Sequence, residues 1–163
     1  MERSLNFKHV HYLIHQEKFS QANQILEDLL LSEPSESMWY FLKLFIAYEN
    51  RRGQEIDYWY KKITSLFPGT IEANIAESLV PGQRISTAIK SLKHVQRLDI
   101  HNPFINYLIG NYYRLDGKYL LAAKYYQRCM ELDNRFLLTY HSLLHCLTQI
   151  RDVDFINKCL LIL

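Results

Sequence analysis

Two histidine pairs are the residues here whose type and spacing could most readily do chemistry. His11 and His15, and likewise His141 and His145, stand four apart. On a helix each pair would present two imidazoles on one face, within reach of a single cation. Neither pair encloses the glutamate that makes His-Glu-x-x-His a hydrolytic zinc site, and no third ligand is evident nearby. Partner contact or partial burial is the expected role, and no metal or other cofactor is expected. Cys146 adjoins His145 but would project about 100° away around the helix. The stretch Gly110 to Lys118 has its glycines seven apart, and Lys118 is followed by Tyr119. A phosphate loop needs Gly-x4-Gly-Lys-Ser/Thr, so this stretch reads as a turn. No Gly-x-Ser-x-Gly elbow occurs, and no two carboxylates stand out as general acid and base. These residues predict no catalytic site, and the chain is expected not to be an enzyme.

Basic residues interleaved with aromatics are the other chemical signal. Arg51-Arg52 and Lys61-Lys62 flank Tyr58, Trp59 and Tyr60, a combination that can grip phosphate and stack on bases. The chain as a whole carries 19 Lys+Arg against 17 Asp+Glu, a formal +2, without blocks of one sign. Nucleic-acid binding usually needs a stripe of charge. A solvated helix face with Lys and Arg stems lying over aromatics is the stronger reading, and nucleic acid is not the expected partner.

The elements that carry these residues are helical. At 163 residues and 48% apolar content the chain can bury a core, and five Gly and four Pro exclude low-complexity classes. Aromatics reach 13%, with 12 Tyr and 8 Phe. The longest apolar runs are far too short to span a bilayer, and the opening residues lack the apolar core of a signal peptide. Three scattered cysteines, Cys129, Cys146 and Cys159, suit a reducing cytosol better than a disulfide framework. A soluble cytoplasmic protein without membrane contact is expected. Helical spacing recurs throughout, as in Phe19, Ala22, Ile25, Leu26, Leu29 and Leu30. No two-residue hairpin turn joins alternating runs.

An internal period is more informative than any single helix. Ala88 and Ala122 stand 34 apart, as do Leu92 and Tyr126, Val95 and Cys129, Leu98 and Leu132, and Asp99 and Asp133. Pro34 and Pro68 share that separation, and Pro103 follows 35 later. Each proline sits between helical segments, where its missing N–H does no harm. Two helices per unit of about 34 residues is the arithmetic of a helix-turn-helix repeat.

The residues 103–136 resemble the tetratricopeptide repeat. Gly110 matches the small residue of the first helix and Tyr113 the aromatic one turn later. Asp116-Gly117-Lys118-Tyr119 matches the turn and the aromatic opening the second helix, Ala122 the alanine at the helix crossing. Cys129 stands where a second small residue is usual, and Leu132-Asp133-Asn134 closes the unit. A larger side chain at Gly110 or Ala122 would push paired helices apart. Residues 3–36 keep Phe19, Ala22 and Leu26. Residues 37–68 keep Trp39, Tyr60 and Pro68, with Arg51-Arg52-Gly53 at the turn. Residues 69–102 keep Ala76, Ala88 and Leu92, but Pro81-Gly82 shortens the first helix. Residues 137–163 give a partial fifth unit with a helix from about Val153. The resemblance implies an all-α, right-handed solenoid of stacked helical hairpins, organised as a single array over residues 1–163.

In this family the first helix of each pair lines a concave side. The resemblance therefore implies a partner-binding groove from Phe7, His11, Phe41, Phe45, Tyr48, Phe104, Tyr107, Asn111, Arg114 and His141. Members that hold a chaperone's C-terminal carboxylate carry Lys, Asn and Arg on successive first helices. Here Asn111 and Arg114 are the only pair of that type, so the resemblance does not extend to such a clamp. Rigid aromatics give the composition of binding hot spots. The implied function is a non-catalytic adaptor or chaperone that holds an extended or helical segment of a partner protein. Size and groove are similar to those of the tetratricopeptide chaperones of bacterial type III secretion. The 103–136 unit equally resembles repeats of large assembly scaffolds. The alternative function is accordingly a structural subunit of a complex, with an RNA-binding helical repeat further behind. For that alternative the docking surface is the apolar C-terminal segment, Phe155, Ile156, Leu160 and Leu163, set against a partner protein or a second copy of this chain.

Overall fold

The computed structural model describes residues 2–160, which form ten α-helices and no strand. In chain order these are α1 (Glu2–His15), α2 (Phe19–Ser32), α3 (Ser37–Glu49), α4 (Gly53–Leu66), α5 (Ile71–Ser78), α6 (Ile85–Leu98), α7 (Pro103–Leu115), α8 (Tyr119–Leu132), α9 (Leu137–Leu147) and α10 (Val153–Leu160). The fold is the all-α helical-hairpin architecture that the repeat implies. The chain forms two compact units, Met1–Ser91 and Leu92–Leu163, divided within α6.

The repeat is written into the turns. At the end of α7 the Gly117 N–H donates to the Arg114 carbonyl and the Lys118 N–H to the Tyr113 carbonyl. That pair of bonds is the Schellman closure, which needs a left-handed residue just past the helix. Glu17 and Lys18 make the same two bonds after α1, and Arg51 and Arg52 after α3. Gly117 supplies the left-handed φ of 71° cheaply, whereas Glu17 and Arg51 adopt 56° and 55° with a side chain in place. Second helices also end alike: the N–H groups of Glu33, Phe67, Asp99 and Asp133 bond the carbonyls of Leu29, Ile63, Val95 and Cys129. The third hairpin departs from the pattern, because α5 ends at Ser78, ahead of Pro81.

In the first unit α3 is the core helix, buried from Trp39 to Ala47 and flanked by α2, α4 and α5. Val10, Ile14, Ala22, Leu26 and Ile63 bury fully. Lys43 is buried too, and is stabilised by the Glu27 carboxylate at 3.2 Å and by the Trp59 ring beneath its ammonium.

In the second unit α7 packs against α8, and α8 against α9. Asn102 caps α7 by accepting the Phe104 N–H, with Pro103 at the first helical position. Phe104, Tyr107, Tyr126 and Phe136 form an aromatic core with neighbouring ring centroids 5.0 to 6.0 Å apart. α10 meets α8 where Gln127 donates to the buried Cys159 sulfur.

Candidate functional site

In the first unit, Phe7, His11 and His15 recur every four residues along one face of α1. The Phe7 ring stacks on His11 at 5.2 Å and lies 6.2 Å from Trp39. The His11 and His15 ring centroids are 4.0 Å apart. Two imidazoles on one face supply half of a tetrahedral ligand set. Phe7 and His11 are half-buried, and His15 is buried. On α3, Phe41 and Phe45 lie 6.2 Å apart and are 1% and 0% exposed, while Tyr48 is half-buried. Of this unit's expected face, Phe7, His11 and Tyr48 keep partial exposure, whereas Phe41 and Phe45 are buried.

The basic doublets lie on the same unit. Arg52 pairs with Glu55, and Lys62 lies over the Tyr58 ring at 5.8 Å. Charge there is spread over an exposed helix face.

In the second unit the expected residues divide in the same way. Phe104 and Tyr107 belong to the aromatic core, each 3% exposed. Asn111 is buried and accepts a hydrogen bond from the Tyr126 hydroxyl at 2.7 Å. Arg114, one turn further along α7, is half-buried and hydrogen-bonds the same hydroxyl, as does Ser142 of α9. Burial pushes the Tyr126 phenol well above its usual range, and Arg114 and Ser142 draw it back only in part. His141 is exposed, and His145 meets the Tyr119 ring edge-on at 6.3 Å. Tyr126 and Ser142 are contributors that spacing alone did not single out. In the sequence, Tyr126 stands out only as a position of the 34-residue period, opposite Leu92.

The three thiols are free and buried. Burial pushes Cys129 up to about 12 and Cys146 to about 11, and it also raises Cys159. A thiol held protonated at neutral pH is a poor nucleophile.

At the C-terminal end Phe155 and Ile156 are half-buried, and Leu160 is 53% exposed. Leu163 lies outside the described residues. Leu120, Leu121 and Ile150 line a cleft of about 530 Å³ between the start of α8 and the α9–α10 loop. No described helix is long and apolar enough to cross a membrane.

No protein-family model and no curated protein sequence matches the chain. Solved structures do. A thermophilic tetratricopeptide-repeat protein of Thermus thermophilus matches with a TM-score of 0.56 at 14% identity, covering 97% of this chain and 98% of its own. PilW, a type IV pilus biogenesis factor, matches at 0.56 and 16%, over 96% of this chain and 74% of its own. MamA from Desulfovibrio magneticus RS-1 matches at 0.53 and 14%, over 96% and 90%. The repeated turns and the small residues at Gly110 and Ala122 agree with this likeness, and the chain has the fold of the tetratricopeptide-repeat proteins.

Proposed function

We propose that this chain is a non-catalytic protein-interaction module, an adaptor or chaperone of the cytoplasm that binds an extended or helical segment of a partner protein. The observation that carries this reading is the make-up of the first-helix faces. Each unit offers partly exposed aromatic, imidazole or guanidinium groups on its first helices together with buried aromatics. In the first unit Phe7, His11 and Tyr48 keep partial exposure, while Phe41 and Phe45 are buried. In the second, Arg114 and His141 keep exposure, while Asn111, Phe104 and Tyr107 are buried. Rigid aromatics bind at low entropic cost. The protonated thiols support the non-catalytic part of the reading. The test is affinity capture from the native cell with nuclease treatment, comparing the parent with Phe7→Ala/Tyr48→Ala. Loss of a nuclease-resistant protein partner with helicity unchanged supports the proposal. Capture that is indifferent to both substitutions, or that disappears with nuclease, contradicts it.

A second reading is supported by a separate observation. Val153 is 65% exposed, Leu160 53% and Leu144 45%, so apolar surface remains uncovered on α9 and α10. A structural subunit would dock through this end, on another protein or on a second copy. Leu160→Lys should then dissociate the assembly in sedimentation, and an unchanged mass rejects this surface.

A further inference from the structure

On α4, Lys61, Lys62, Ser65 and Leu66 stand three, four, seven and eight residues after Tyr58, so the five side chains share one face of the helix. They line a shallow notch of about 290 Å³. The buried residues of α4 are Ile56 and Ile63, whereas Tyr58 and Leu66 are 52% and 51% exposed. Lys61, Lys62 and Ser65 are exposed as well. At 1.5 Å per residue the stripe runs about 12 Å along the helix. Its side chains are open to a partner.

The notch combines two cations with an apolar wall. Neither ammonium has a carboxylate partner among the described residues: Glu55 is taken by Arg52 at 3.0 Å, and Asp57, one turn before Lys61, makes no ion pair. Lys62 sits over the Tyr58 ring at 5.8 Å, and Trp59 meets that ring edge-on at 4.9 Å. These contacts hold ring and charge in place before anything binds. Two adjacent ammonium groups match two carboxylates, and the exposed Tyr58 and Leu66 match an apolar side chain brought with them. Glu55 and Asp57 bound the stripe on its N-terminal side. They would repel a continuous polyanion or an anionic bilayer, which needs a longer basic track.

We propose that the α4 notch docks an acidic segment of a protein, with carboxylates on Lys61 and Lys62 and an apolar side chain against Tyr58 and Leu66. The notch lies on the second helix of its hairpin, so this contact is additional to the first-helix faces and is tested apart from them.

The probe is the fluorescein-labelled peptide Glu-Asp-Leu-Phe-Asp-Glu, titrated with the full chain and read by anisotropy. Its uncharged Gln/Asn counterpart, an oligouridylate and phosphatidylserine vesicles are the comparisons. Saturable binding of the acidic peptide, stronger than that of every comparison, is expected. Lys61→Glu/Lys62→Glu should weaken it about tenfold and Leu66→Ser about threefold, with helicity unchanged. The charge-reversed variant should in turn bind Lys-Lys-Leu-Phe-Lys-Lys better than the parent does. Raising salt should weaken binding only a few-fold, because exposed ion pairs are screened while the apolar contact persists. No saturable binding of the acidic peptide overturns the proposal, and so does equal or stronger binding of any comparison. Indifference to Leu66→Ser also overturns it, since charge alone would then hold the peptide. Peptide binding that survives Lys61→Glu/Lys62→Glu but is lost in Phe7→Ala/Tyr48→Ala overturns this surface and supports the first-helix reading instead.

Discussion

A Cβ built on Gly110 would stand 2.6 Å from Cε1 and 2.8 Å from Cδ1 of the Tyr126 ring. Tyr126 is fully buried, and its hydroxyl is tied to Asn111, so the ring has nowhere to retreat. Gly110→Ala should therefore destabilise by about 1–3 kcal/mol, even though alanine gains about 1 kcal/mol of helix propensity. Chemical denaturation measures the change. Tyr126→Leu removes the clashing atoms, so the double variant should lose less than the sum of the two single losses. Additive losses would place the strain elsewhere.

Ala122 is 0% exposed on α8, which packs against α7, and its repeat position predicts that it lies where the two helices cross. Ala122→Leu adds three carbons there and should cost about 1–3 kcal/mol through overpacking. A variant that melts like the parent would contradict the crossing.

The three turns share one hydrogen-bond pattern and hold Glu17, Arg51 and Gly117 in the left-handed region. Arg51 is exposed with φ 55°, so Arg51→Gly should stabilise by about 0.5–1 kcal/mol. Gly117→Ala, at φ 71°, should destabilise by about 1 kcal/mol. Opposite signs in the two melts confirm the shared geometry, and equal signs deny it.

Stability should fall in alkali. The folded state keeps the Cys129 proton to about pH 12, whereas the unfolded thiol releases it near 9. The unfolded state then binds fewer protons, so this contribution is complete below about pH 9 and is lost as pH rises toward 12. Cys129→Ala should recover about 1 kcal/mol of the loss between pH 8 and pH 10, read from denaturant midpoints. An identical pH slope in the variant would reject the assignment.

The period and the small residues were legible because close helix approach leaves a composition trace: Gly110 and Ala122 sit where bulk is excluded. Turn detail was less legible. Gly53 suggested the turn after α3, yet it opens α4, and the left-handed position falls on Arg51. Hydrogen bonding to the Tyr48 and Ala47 carbonyls sets that position, and an exposed arginine can accept the strain. Depth along a helix face was also hidden. Phe41 and Tyr48 share a spacing class, but one is buried and the other half-buried, since α3 is surrounded on several sides. The Arg114–Tyr126–Asn111 connection joins two helices, and no spacing within either one encodes it.

Recognition of protein by the first-helix faces is tested most directly by the Kd of the captured partner for the parent and for Phe7→Ala/Tyr48→Ala, taken at low and at high salt. Binding should weaken at least tenfold in the variant and should change little with salt, as contacts dominated by aromatics require. Parent and variant affinities that agree, or an affinity that collapses with salt as phosphate contacts do, would contradict it.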